Sequence, residues 1–98
     1  MATPEGKVKA DVKKVLVKFR PNVYYHMPVQ NGMGKPTLDF TGCAWGHAFY
    51  IETKAPGKKP TERQVLTIAE LEAAGGKVFV IDGDTSELEN WLQSVKAK

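Results

Sequence analysis

A strand–helix–strand segment over residues 47–81 limits the possible folds of this chain more than any other feature. Polar and apolar residues alternate over 47–54, which predicts a strand, and the apolar run from Val78 to Ile81 predicts a second one suited to burial in a sheet. Between them, Thr61-Glu62-Arg63-Gln64 has the pattern of a capping box that starts a helix, and Gly75-Gly76 ends that helix. Strands joined through a helix pair in parallel by a right-handed crossover. We therefore expect a sheet with this helix packed on it.

Apolar periodicity assigns the remaining elements. Thr3-Pro4-Glu5 begins an amphipathic helix that ends at Arg20, because Pro21 disfavours helical geometry in the residue before it. Thr37 to Thr41 alternates and forms a hairpin with residues 47–54, with its turn from Gly42 to Gly46. In chain order we expect a helix over 3–20, strands over 23–27, 37–41 and 47–54, a helix from 61, a strand over 78–81 and a last helix. The apolar residues expected to face the core in the second helix are Val65, Leu66, Ile68 and Leu71. Asp84 or Thr85 caps the last helix.

This order, αβββαβα, is that of an α/β (α+β) protein with a mixed sheet, and we expect one domain over residues 1–98. A chain of this length buries roughly two-thirds of its unfolded surface, which is enough for one core and excludes a second domain. It leaves room only for a shallow site or one shared between chains. Cys43 alone excludes an internal disulfide, and no long apolar run indicates a membrane span or signal peptide. We expect a cytoplasmic protein without membrane contact.

Charge is divided unevenly along the chain. Residues 1–60 hold ten Lys or Arg and four Asp or Glu, a net charge of +6, whereas residues 61–98 hold four and seven, a net charge of −3. A basic region of this kind favours a polyanionic partner such as DNA, and a solvated lysine face is the alternative. Lys58 and Lys59, just before a predicted helix N-terminus, are candidate phosphate contacts. Lys35 in the glycine-rich loop and Lys14 on the first helix are further candidates for DNA binding.

Two carboxylates lie on neighbouring strands of the predicted hairpin. Asp39 is in one arm, and Glu52 is in the other with Lys54 on the same face two residues later. Mg²⁺ takes oxygen ligands and often only one or two carboxylates, so Asp39 and Glu52 form a minimal cation site. Lys54 can offset charge on a phosphate beside it. The alternative for Glu52 and Lys54 is an exposed charge pair without chemistry.

Several short motifs follow one another along the chain. Gly32-x-Gly34 leads to Asp39, then come Ile51-Glu52-Thr53-Lys54, Gln64 early in the next helix, and Gly75-Gly76 before an apolar strand. This pattern resembles a known family, the VRR-Nuc branch of the PD-(D/E)XK nucleases, and it implies a restriction-endonuclease-like core. The similarity spans about residues 5–92, and Leu38 stands where the family usually has Pro before its Asp.

The resemblance also implies roles for individual residues. Asp39 and Glu52 bind Mg²⁺ or Mn²⁺ with help from the backbone carbonyl of Thr53, and Lys54 and Gln64 complete the catalytic set. An acid on the first helix often joins the metal ligands, and Glu5 is the matching residue. Gln64 has an alternative role, since the third position of a capping box favours Gln without any catalysis.

The resemblance therefore predicts a Mg²⁺- or Mn²⁺-dependent DNA endonuclease. Stand-alone members of this kind, often from phages, resemble homodimers that cut branched DNA such as Holliday junctions. A symmetric dimer supplies the two cuts that a four-way junction needs. The alternatives are a non-catalytic nucleic-acid-binding module with a degenerate nuclease fold, and a sequence-specific restriction-type enzyme. The second lacks an added element to read bases.

Overall fold

The computed structural model describes residues 3–29 and 34–96 and confirms the predicted order αβββαβα. Residues 30–33, which include the predicted loop residue Gly32, lie outside the described residues. Among those described, no helix is both long enough and apolar enough to cross a membrane. The elements are α1 (Pro4–Lys18), β1 (Val23–His26), β2 (Phe40–Ala44), β3 (His47–Thr53), α2 (Glu62–Ala73), β4 (Lys77–Ile81) and α3 (Ser86–Lys96).

The four strands form one mixed sheet in the order β1-β2-β3-β4. The first three are antiparallel neighbours, and β4 pairs in parallel with β3, as the strand–helix–strand pattern predicts. Because Thr53 stands beside Ile81, the carboxyl ends of β3 and β4 lie at the same edge of the sheet. Loops that follow parallel strands at such an edge commonly carry functional residues.

The two faces of the sheet differ in character. On β3, Phe49, Ile51 and Thr53 point to one face and are fully buried, whereas Tyr50 and Glu52 alternate with them on the other. The first face packs against α1 and α3. The second carries α2. The core on the first face includes Val8, Val12, Val15 and Leu16 of α1 and Leu88, Leu92 and Val95 of α3.

Helix α1 begins as predicted and ends two residues early. The hydroxyl of Thr3 accepts the N–H of Gly6 at 2.9 Å, and Pro4 occupies the first turn. At the other end, the N–H groups of Phe19 and Arg20 donate to carbonyls three residues back rather than four. This tightened turn ends α1 at Lys18, so the predicted end at Arg20 is wrong.

The hairpin turn also differs from the prediction. Strand β2 runs over Phe40–Ala44 rather than 37–41, and Trp45-Gly46 alone forms the turn. Both turn residues have positive φ, 47° and 85°, as in the two-residue turns that match strand twist. Gly42 is a residue of β2, and no other residue type has room there. A Cβ at this position would lie 2.5 Å from the Phe49 ring. The glycine marks close packing rather than a turn.

Two expectations about apolar burial are wrong. Strand β4 is an edge strand, and its Val80 is exposed on the α2 face. Helix α2 turns Gln64, Thr67, Ile68 and Leu71 towards the sheet, which leaves Val65 and Leu66 in solvent. Helical spacing alone allows either Gln64 and Thr67 or Val65 and Leu66 to face the sheet. In the structure Gln64 contacts Glu52 of β3, so the face with Gln64 and Thr67 packs on the sheet. At α3, Asp84 supplies the cap by accepting from the N–H of Ser86 at 2.9 Å.

Candidate active site

The open end of the β2–β3 hairpin brings the two predicted metal ligands together. The antiparallel register ends with Phe40 opposite Ile51. Asp39 precedes Phe40 and Glu52 follows Ile51, so continuing the register by one residue sets Asp39 opposite Glu52. Both carboxylates therefore stand where the chain enters β2 and leaves β3, at the edge where parallel β4 also ends.

Asp39 is oriented by Thr53. Its Oδ2 accepts the backbone N–H of Thr53 at 2.9 Å and the Thr53 hydroxyl at 2.8 Å. Thr53 is fully buried at the end of β3, so these donors are held in place by the core. Hydrogen bonds to a carboxylate are among the stronger ones in proteins. The carboxylate is thus positioned before any ligand binds, by a side chain to which sequence analysis assigned only a backbone role.

Glu52 is a buried carboxylate, with 3% of its surface exposed. Its Oε2 accepts from Nε2 of Gln64 at 2.8 Å and lies 3.4 Å from Nζ of Lys54. Burial raises the pKa of Glu52 above its ordinary value, and the nearby Asp39 carboxylate raises it further, while Lys54 lowers it. The negative charges of Asp39 and the buried Glu52 repel each other, and a nearby positive charge reduces this repulsion.

Gln64 forms the predicted capping box and also contacts the carboxylate site. Its Oε1 accepts the N–H of Thr61 at 2.9 Å, and its own N–H donates to the Thr61 hydroxyl at 3.2 Å, which completes a capping box. Its Nε2 reaches Glu52 at the same time. The start of α2 is therefore fixed to the carboxylate site through one side chain.

A cleft of about 350 Å³ opens beside the carboxylates, between the segment before β2 and the start of α2. Gln64 lines it together with Lys35 and Arg63. Nζ of Lys35 lies 3.8 Å from Glu70 of α2, which places this predicted DNA contact next to the site. Arg63 was missed by sequence reasoning. The signal that could have found it is a cation beside Gln64 in the first helical turn.

Lys58 and Lys59 are exposed in the loop that leads from the end of β3 to α2. The N–H of Lys58 closes a turn on the carbonyl of Ala55 at 3.0 Å, and the N–H of Gly57 donates to Asp82 at 3.2 Å. The second bond ties the loop to the residue that follows β4. Both lysines therefore lie on the same edge of the sheet as Lys54.

Two of the predicted site residues are not brought to this cluster. Glu5 lies in the first turn of α1 and pairs with Lys9 at 3.3 Å. Among residues 3–29 and 34–96, no three or more acidic, His or Cys side chains group so as to hold a metal, so Glu5 does not join Asp39 and Glu52. Lys14 is exposed on α1, on the face of the sheet opposite α2.

The oxygen donors fit a hard divalent cation. Mg²⁺ is commonly held by one or two carboxylates and keeps water in its remaining positions, whereas zinc sites use three or four His, Cys or carboxylate ligands. Asp39 and Glu52 provide the first kind of donor set, and Thr53, whose carbonyl is the third predicted donor, directly follows Glu52 in the sequence. In the part of the chain that the structure describes, the second kind is absent.

The overall fold is shared with a solved structure titled "VRR_NUC domain". The two superpose with a TM-score of 0.70 at 19% sequence identity, over 98% of this chain and 94% of that chain. The match confirms the fold that the sequence resemblance implies. No protein-family model matches the chain, and no curated protein matches it by sequence.

Proposed function

We propose that this chain is a VRR-Nuc-type endonuclease that hydrolyses phosphodiester bonds in DNA with Mg²⁺ or Mn²⁺. The supporting observation is that Asp39, Glu52, Lys54 and Gln64 converge at the open end of the hairpin, although they are spread over 26 positions of sequence. A surface charge pair leaves both side chains in solvent, whereas Glu52 is buried next to a second carboxylate, where a bound cation would offset the charge. The geometry therefore favours a catalytic cluster over an exposed Glu–Lys pair.

The residues have separable roles in this proposal. Asp39, Glu52 and the Thr53 carbonyl would hold the cation, which when bound supplies Lewis-acid stabilisation of the phosphodiester and activation of water. Lys54, whose ammonium group lies 3.4 Å from Glu52, donates to the attacking water or to a phosphate oxygen as negative charge develops. Gln64 holds Glu52 in its orientation. Glu5, which pairs with Lys9 at 3.3 Å, is left out of the proposed ligand set.

The basic residues around this edge would bind the DNA backbone. Lys58 and Lys59 lie in the loop that leaves β3, and Lys35 lines the cleft beside Gln64. Contacts from these side chains to phosphates position a duplex without reading its sequence. Lys14, on the opposite face, would contact DNA only at a distance from the reacting phosphate.

We propose branched DNA, such as a Holliday junction, as the substrate and a homodimer as the active form. One small domain with one carboxylate cluster makes one cut, and symmetric resolution of a four-way junction takes two. A cytoplasmic location and a phage-type origin are part of the same proposal, as the resemblance to stand-alone members implies.

The test is cleavage of an end-labelled four-way junction by pure protein in Mg²⁺, in Mn²⁺ and in EDTA. We expect cation-dependent paired cuts by the wild type, none by Asp39→Asn and cleavage slowed by about 100-fold in Lys54→Met, with binding to the junction retained. Glu5→Gln is the matched carboxylate control and should cleave at the wild-type rate. Binding without cleavage in either cation would instead identify a nucleic-acid-binding module. A strong preference for one linear sequence would favour a restriction-type enzyme.

A further inference from the structure

Helix α2 exposes apolar side chains on the side that faces away from the sheet. Leu66 is 68% exposed and Val65 is 53% exposed. Ala69 and Ala73 follow Leu66 at three- and seven-residue spacing, which continues the same helical face. Leu66, Ala69 and Ala73 therefore form one exposed apolar strip along the helix. Exposed apolar surface that is contiguous marks an interaction site more often than scattered apolar residues do.

The charges beside this face are arranged for a second copy of the same helix. Arg63 and Glu70 lie seven residues apart and therefore on the same flank of Leu66. When two copies of α2 pack antiparallel about a two-fold axis, Arg63 of one copy lies opposite Glu70 of the other, and the reverse pair forms by symmetry. Within one chain, Glu70 is paired only loosely, with Lys35 at 3.8 Å and both side chains exposed.

We propose that α2 is the homodimer interface, with two copies packed antiparallel around Leu66 and with reciprocal Arg63–Glu70 ion pairs. The proposed function requires a homodimer, and this inference, which rests on that function, identifies the surface through which the two copies bind. The carboxylate sites then belong to one assembly, because each α2 begins with the Gln64 that contacts Glu52.

The size of the surface sets the expected affinity. A helix of 12 residues is about 18 Å long, and its outer face is smaller than the roughly 800 Å² per partner of a standard interface. We expect a dissociation constant on the order of micromolar, which is within the range of sedimentation experiments.

The experiment is sedimentation equilibrium of the whole chain at about 1 to 200 µM, with circular dichroism to verify folding. Leu66→Glu should weaken dimerisation by at least about tenfold. Val17→Glu is the matched control, since Val17 is 49% exposed on α1, on the other side of the sheet. It should dimerise as the wild type does. A wild type that remains monomeric at 200 µM, or an equal loss in both variants, would overturn the proposal.

Charge reversal tests the antiparallel arrangement separately. Arg63→Glu and Glu70→Arg should each weaken the dimer several-fold, because each places like charges across the axis. The double variant should recover most of the loss. If the double variant is as weak as the sum of the single ones, the two residues do not face each other and the proposed arrangement is wrong.

Cleavage assays separate this inference from the proposed function. We expect Leu66→Glu to keep cation-dependent cutting of single strands at junctions and to lose the coupling of two cuts. If the protein dimerises through Leu66 but has no nuclease activity, the proposed function is wrong and the proposed interface is retained. A wild type that cleaves DNA but stays monomeric at 200 µM would overturn the interface and leave the nuclease assignment standing.

Discussion

The two faces of the sheet divide stability from chemistry. The face that packs against α1 and α3 is closed by fully buried Leu16, Leu88 and Leu92. On the α2 face, Glu52 of the sheet contacts Gln64 of the helix, and Leu66 is exposed to solvent. One face therefore has a core dense enough to fold the domain, which allows the other to hold buried charge. The difference predicts that variants on the two faces will fail in different assays.

The largest effect on stability is expected on the closed face. Leu88→Ala removes a fully buried side chain, and such truncations cost about 2–5 kcal/mol. In a domain of this size the melting temperature should fall by on the order of 10 °C or more. Cleavage per folded molecule at low temperature should be unchanged. A variant that melts normally but cleaves poorly would show that the α1–α3 face also supports the reaction.

Lys54→Met should have the opposite signature. Loss of the ammonium beside Glu52 should slow cleavage by about 100-fold, comparable to removal of one group that stabilises transition-state charge. The melting temperature should change by only a few degrees. Single-turnover cleavage and thermal melting of the same preparation measure both quantities. A normal rate would exclude Lys54 from the reaction.

Gln64 joins both sides of the comparison, so its two roles need separate variants. Thr61→Ala removes the helix cap and should cost about 1 kcal/mol of stability with little change in cleavage, because Gln64 can still reach Glu52. Gln64→Ala should lose a similar amount of stability and also slow cleavage by about tenfold. Equal cleavage rates in the two variants would assign Gln64 to capping alone.

A smaller effect is expected on the pH dependence of stability in EDTA. The pKa of Glu52 is raised in the folded protein, so its protonated form favours folding. That contribution is present below the ordinary pKa of 4.5 and is lost as pH rises through the raised value. Glu52→Gln, which stays neutral, should therefore gain stability relative to the wild type between pH 4 and pH 8. Urea unfolding at both pH values measures the difference.

The sequence was most informative where local chemistry decides the structure. The capping box at Thr61 and the placement of Glu52 and Lys54 on the same side of the chain at the end of β3 are both present as predicted. Their spacing is fixed by helix and strand geometry, which neighbouring elements do not alter. The element order followed from the same rules. The pairing of the two hairpin arms was also predicted, but the register that sets Asp39 beside Glu52 comes from the structure.

Predictions failed where packing between distant segments decides. Gly42 was read as a turn residue, but the Phe49 ring and the neighbouring strand demand a residue without a side chain. Leu66 and Gln64 are two positions apart, and periodicity alone cannot say which faces the sheet. The orienting bonds from Thr53 to Asp39 need the tertiary pairing as well. These contacts join segments that the sequence does not link.

Binding of Mn²⁺ tests the central assignment most directly, because it needs no knowledge of the DNA substrate. Calorimetric titration of the metal-free protein should show one site per chain, lost in Asp39→Asn and retained in Glu5→Gln. The melting temperature of the free Asp39→Asn protein should stay close to that of the wild type. Equal binding by wild type and Asp39→Asn, or no binding by the wild type, would contradict a cation site at the open end of the hairpin.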